Sequence, residues 1–188
     1  MILEIALTKF LWLKNDAPPS GFKQVPAGGM CLSAFTFISK VDEPEKILLG
    51  KYRIVPEWER LTGLDSDRLR RHSTGLTVPA SHLKFGEDPR EAGRRIIKEI
   101  IEVPFGSYKI SEPWVETERW DSTPNIDDDH WDVSFYFNVV LTKDAVVTKP
   151  EWYELLSFYD PLKTPSSDYA RRHQDVVARW QTVRSRIH

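Results

Sequence analysis

The sequence predicts one α+β domain, with a mixed β-sheet covered by helices. Three observations carry this. Residues 131–141 alternate Val133, Phe135, Phe137 and Val139 with Asp132, Ser134, Tyr136 and Asn138, the period of a half-buried strand. Residues 89–102 carry the signals of a helix start: Asp88 as N-cap, Pro89 at the first helical position, Glu91 in the first turn. Residues 167–186 place Tyr169, Val176, Val177, Trp180 and Val183 at helical spacing, which predicts a C-terminal helix.

The remaining elements follow in order. Residues 1–14 fit a strand or a short helix, and their periodicity does not decide. Residues 15–29 read as loop, through Pro18-Pro19-Ser20-Gly21 and Pro26-Ala27-Gly28-Gly29. Residues 31–39 and 46–54 read as strands, with the turn Val41-Asp42-Glu43-Pro44-Glu45 between them. Residues 57–69 are charged and suggest short helices, and 75–79 a brief strand. Pro104 and Gly106 stop the 89–102 helix. Residues 110–120 look extended, and 151–159 read as a last strand.

Composition bounds the function classes. A chain of 188 residues supports one sizeable core, so residues 1–188 are read as a single domain. Within it, 1–30 form an N-terminal extension and 167–186 the C-terminal helix. The formal net charge of -2 gives no electrostatic case for nucleic acid or an acidic membrane surface as partner. Residues 1–13 include Glu4 and Lys9 and lack a basic start and a small-residue cleavage site, so they are not read as a signal peptide. No run approaches the roughly 20 apolar residues of a membrane span. Cys31 is the one cysteine and lies in an apolar run, which reads as a buried hydrophobe. No disulfide can form within the chain, which fits a reducing, cytoplasmic setting. There is no phosphate-cradling Gly-rich loop ending in Lys-Ser/Thr, no Gly-x-Ser-x-Gly elbow and no His-Glu-x-x-His.

One segment carries a specific pattern. From Ser81, five residues lead to Glu87, and seven more lead to Arg95. Ile97, Glu99 and Val103 follow, with Pro79 ahead of the loop and Gly86-Glu87-Asp88-Pro89 entering the helix. This resembles the Nudix box, G-x5-E-x7-R-E-U-x-E-E-x-G-U with U a bulky apolar residue. Ile47-Leu48-Leu49-Gly50-Lys51-Tyr52-Arg53 is similar to the family strand that delivers an arginine. His130-Trp131-Asp132-Val133-Ser134-Phe135 and Glu151-Trp152-Tyr153 resemble its later strands. The resemblance implies a Nudix-like α/β/α sandwich with a mixed β-sheet between helices. It also implies a hydrolase that uses Mg or Mn to help water attack a nucleoside diphosphate linked to another group.

The departures are specific. The first glycine of the pattern is Ser81, its second and fourth glutamates are Ile96 and Ile100, and its last glycine is Glu102. A divalent cation needs several oxygen ligands converging on one point. The two lost positions are four apart and share a helix face. Ala92, Ile96 and Ile100 form an apolar row with Ile97 and Ile101 beside it, a surface for packing or for an apolar ligand. Any Mg or Mn is therefore expected to bind weakly. On the polar flank, Glu91, Arg95, Glu99 and Glu102 fit either a displaced metal site or a solvated face with Glu91–Arg95 and Arg95–Glu99 pairs.

Two functions follow from the resemblance. The first is a divergent Nudix-type hydrolase, with Glu99 as metal ligand beside Glu102, and Glu87 and Arg95 supporting the site. The second is a non-catalytic module binding a nucleotide or a protein. In either, Arg53, Ser81 and His82 are candidate contacts for a nucleotide or nucleotide derivative. Asp127-Asp128-Asp129 could add ligands from a loop but reads first as a solvated turn. Trp114, Trp120, Trp131 and Trp152 are candidates for stacking a base, though each reads first as core. Association into a homodimer is compatible with the chain.

Overall fold

A computed structural model of the chain describes residues 30–62, 69–70, 73–84, 86–120, 130–170 and 172–187. Residues 1–29 and the Asp127–Asp129 run lie outside the described residues. In order, the elements are β1 (Met30–Lys40), β2 (Ile47–Tyr52), α1 (Glu57–Thr62), β3 (Ala80–His82), α2 (Pro89–Arg95) with a π turn (Ile96–Ile100) continuing it, β4 (Tyr108–Ile110), β5 (Trp114–Trp120), β6 (His130–Leu141), β7 (Tyr153–Tyr159) and α3 (His173–Ile187).

The sheet is mixed. β1 and β6 are parallel over their full length, from Met30 opposite Trp131 to Lys40 opposite Leu141. β3 pairs antiparallel with the other edge of β1, while β4 and β5 pair antiparallel with different stretches of β6. β2 and β7 make a separate antiparallel pair. Because side chains alternate across a strand, the central strands feed two cores. Ala34, Ile38, Phe137, Val139 and Leu141 pack with Ala92, Ile96, Ile97, Ile100 and Ile101 of α2 and its extension. Phe37 and Tyr136 pack on the opposite face with Val177 and Trp180 of α3. The sheet thus lies between α2 and α3, the predicted sandwich.

The α3 face is an aromatic layer. The Phe37 ring stacks on Trp180 at 5.1 Å and on Trp114 at 5.9 Å, and Tyr136 stacks on Trp114 at 5.3 Å. The Trp180 indole N–H donates to Asn138 Oδ1 at 2.7 Å, so the ring is buried without stranding its polar end.

Several boundaries differ from the sequence reading, each for a local reason. The brief strand falls at 80–82 rather than 75–79. Pro79 has no N–H to donate, and the Val78 N–H goes to His173 Nδ1 at 3.1 Å. The C-terminal helix begins at His173, not at 167. Leu76 N–H donates to Asp168 C=O and Ala170 N–H to Leu76 C=O, which holds Tyr169 extended and off the helix face. The 110–120 stretch divides into β4 and β5, with Pro113 in the break.

His173 is fully enclosed, and burial holds its imidazole down at about 4. Above pH 6.5 neither the folded nor the unfolded chain carries this proton. Between pH 6.5 and 4 only the unfolded chain takes it up, so stability falls as pH drops through that window. The full loss is on the order of 3 kcal/mol. Urea unfolding at pH 7.5, 5.5 and 4.5 should show it. His173→Gln keeps an acceptor for Val78, and it should remove most of this difference while leaving the carboxylate contribution near pH 4.

Candidate functional site

The site region is built where the loop after β3 enters α2. The helix starts as its sequence predicts. Asp88 accepts from the Arg90 N–H at 2.7 Å, and Glu91 reaches back to the Asp88 N–H at 3.3 Å. This is a capping box with Pro89 at the first position. Glu91 is therefore committed to the cap rather than to Arg95.

Arg95 does not lie on a solvated flank. It is buried, and its guanidinium points into the loop. Nε donates to Glu87 Oε1 at 2.6 Å, and Nη2 to Glu87 Oε2 at 2.9 Å and to His82 C=O at 2.9 Å. Nη1 donates to Ser81 Oγ at 3.0 Å and Leu61 C=O at 3.3 Å. Glu87 Oε2 also accepts the Lys84 N–H at 2.8 Å. Both side chains of the pair are about nine-tenths buried. A fork of this kind is the strong form of an ion pair. The expected Arg95–Glu99 surface pair gives way to this inward one. Burial decides the outcome, because an enclosed guanidinium needs a carboxylate.

The other predicted residues separate. Ser81 is buried, and its hydroxyl donates to Leu61 C=O at 3.0 Å. His82 is half-buried, with Nδ1 at 2.8 Å from Thr62 C=O. Arg53 is exposed just beyond β2, and its N–H donates to Trp152 C=O. Glu99 is half-exposed in the π turn, and Glu102 is exposed just past it. Thus Ser81, His82, Glu87 and Arg95 meet in one network, while Arg53, Glu99 and Glu102 stand on the surface.

Beyond Arg95 the helix widens. Ile101 N–H bonds back to Ile96 C=O, an i→i+5 step. A π turn advances fewer degrees per residue than an α turn, so residues four and five apart draw into line. Ile96, Ile97, Ile100 and Ile101 are all completely buried as a result. Sequence reasoning placed these residues on one apolar side but had no signal for the π turn. The helix ends on Glu102 at φ 60°, the left-handed conformation that glycine adopts freely. The Ile100 carbonyl left free by the ending accepts the Trp152 indole N–H at 2.9 Å. Trp114 and Trp152 are thereby accounted for, one in the aromatic layer and the other as a cap.

A divalent cation on this helix does not fit the residues present. The two positions that would bring carboxylates beside Glu99 hold isoleucines sealed in the core. Glu87 has both oxygens bound to Arg95 and the loop backbone. Glu102 takes a left-handed exit. Among the described residues, no group of three His, Cys, Asp or Glu stands together as a metal cage.

No family model matches the chain, and no curated protein matches it in sequence. Solved structures do. An Ap4A hydrolase of C. elegans in a binary complex is similar at TM-score 0.54 and 16% identity, over 82% of this chain and 98% of that one. The NUDIX domain of Shewanella oneidensis NrtR, complexed with ADP ribose, is similar at TM-score 0.52 and 14% identity, over 85% and 90%. A NUDIX hydrolase from Nitrosomonas europaea is similar at TM-score 0.51 and 18% identity, over 83% and 72%. At such identities the likeness is one of fold.

Two variants test the reading of the helix. Ile96→Glu with Ile100→Glu should unfold the domain rather than create a metal site, since each buried carboxylate costs several kcal/mol against a total stability of about 5–15. Circular dichroism checks this; a folded double variant that binds Mn²⁺ would refute it. Glu102→Gly should stabilise by about 0.5–1 kcal/mol by relieving the left-handed backbone. Chemical denaturation should show its midpoint rising.

Proposed function

We propose that this chain, which has the Nudix fold, is a module that binds a nucleoside diphosphate derivative and does not hydrolyse it. The observation that carries the proposal is the complete burial of Ile96 and Ile100, where the Nudix pattern has glutamates. A cation that activates water needs convergent oxygens. Here that helix face is committed to the core. The loop that precedes the helix is nevertheless held by the Glu87–Arg95 fork, so the frame of a Nudix site is kept. The solved NUDIX domain in complex with ADP ribose supports the ligand class. We assign Arg53 as the phosphate contact, since it is exposed and carries a fixed charge. His82 is the second contact, half-buried at the border of the loop.

The remaining reading is a slow hydrolase working through Glu99, the one pattern glutamate left after the arginine. One experiment separates the two. ADP-ribose is titrated calorimetrically with Mg²⁺ and with EDTA, and turnover of ADP-ribose and dinucleoside polyphosphates is followed with Mg²⁺ and Mn²⁺. The module reading expects binding in both buffers, no product, and at least a tenfold loss of affinity in Arg53→Ala, the scale of one charged contact of about 1.4 kcal/mol. Metal-dependent product formation that Glu99→Gln abolishes would establish the hydrolase instead.

A further inference from the structure

We infer that Trp152 is a positioning residue for Arg53: it ties the Arg53 backbone to the end of the α2 extension, and so sets where the Arg53 cation meets a ligand. The inference rests on the binding module proposed above, in which Arg53 is the phosphate contact. Arg53 gets little hold from its immediate surroundings. The β2–β7 ladder turns irregular between Lys51 and Tyr52, just before it. Its chain neighbour Ile54 is 56% exposed, so packing does not fix the next residue either. Among the described residues the Arg53 guanidinium makes no hydrogen bond or ion pair. The bond that holds Arg53 is one between backbones: its N–H donates to Trp152 C=O at 2.9 Å. A long exposed side chain loses rotamer freedom when a ligand captures it. A fixed main chain beneath it keeps that loss from growing.

Trp152 is itself held from two sides. Its carbonyl accepts a second bond, from the Trp58 indole N–H at 3.0 Å. Trp58 is fully buried, with its ring 4.0 Å from Tyr52 and edge-on to Tyr153 at 5.1 Å, so this donor is fixed by the core. At its other end, the Trp152 indole N–H donates to Ile100 C=O at 2.9 Å, in the π turn. One side chain therefore carries the position of the helix end to the backbone of Arg53. The other assigned contact is tied to the same helix, since Arg95 Nη2 donates to His82 C=O at 2.9 Å. A ligand that touches both contacts meets a spacing set by that helix, through Arg95 on one side and Trp152 on the other. The indole is suited to the task because its donor sits on a rigid ring that packs against the core. A phenyl ring would pack but could not donate.

The test is a double-mutant cycle on the full chain, with ADP-ribose titrated calorimetrically in EDTA. Trp152→Phe should weaken binding about fivefold, the scale of one hydrogen bond. In the Arg53→Ala background the same change should weaken it less than about twofold, because the indole acts through Arg53. Trp152→His should restore most of the affinity at pH 8, since the imidazole Nε2–H can stand where the indole N–H stood. The salt dependence of binding should fall in Trp152→Phe toward that of Arg53→Ala and recover in Trp152→His. A tryptophan that only supports the fold would give equal losses in both backgrounds and leave the salt dependence unchanged, and that result overturns the inference while leaving the binding reading intact. No binding of ADP-ribose by the parent chain overturns both. If Trp152→Phe does not fold, Trp152→His decides: a loss of more than about twofold in a folded protein overturns the inference, and parent-like affinity with parent-like salt dependence supports it.

Discussion

Arg95 has five N–H donors, and the structure spends all of them. One side chain thereby joins the end of α1, strand β3, the loop after it and the helix α2. Ser81 and His82 bond to the end of α1 as well, and Leu61, Leu83 and Ala92 share one core, but among the described residues no other side chain reaches all of these pieces with polar bonds. Lys84, Gly86, Glu87 and Asp88 have little apolar surface to bury, so the path of the loop through them depends on polar bonds. Removing either partner of a buried pair leaves an uncompensated charge, which costs about 3–5 kcal/mol. The cost is the same whether or not any chemistry happens beside the loop. The Glu87–Arg95 pair therefore persists for reasons of folding, and its presence alone says nothing about turnover.

The next turn of the same helix shows the opposite behaviour. Carboxylates that hold a cation must face water and one another. Isoleucines at those positions can leave water, and the helix rewinds so that four of them do. The gain is roughly 1.5–3 kcal/mol for each side chain fully buried. Against it stand an unfavourable turn geometry and the left-handed exit at Glu102. The Trp152 indole covers the carbonyl this exposes at Ile100, and the Trp58 indole in turn donates to Trp152 C=O. The helix thus gains a packing function that competes directly with metal binding for the same face.

Much of this was legible in the sequence. Strict alternation in 131–141 gave β6, and Asp88-Pro89 with Glu91 gave the start of α2. Both depend on short-range rules that tertiary contacts reinforced. The spacing from Ser81 to Glu87 to Arg95 located the loop and its frame. Three features were not legible. The inward turn of Arg95 depends on Leu61, thirty-four residues earlier, whose carbonyl no local pattern can place. The π turn arises from packing four isoleucines against Phe137 and Val139, a property of the assembled core. Tyr169 has helical spacing but is held extended by Leu76, because a backbone pairing across the fold outweighs a weak local preference.

These two turns of one helix separate what the Nudix fold ordinarily combines. The first turn, through the capping box and Arg95, fixes where the loop runs. The second, in the family pattern, supplies the charge that binds metal. Here the first is intact and the second has become core. A ligand approaching the loop would meet an ordered backbone and the half-buried His82, rather than a ring of carboxylates. A polyanion is repelled by carboxylates unless a cation intervenes, and their loss removes that requirement. Losing the metal ligands therefore need not abolish diphosphate recognition. In the binding module proposed above, fixed side chains rather than a bound ion would neutralise the charge, and would hold a ligand without activating water against it.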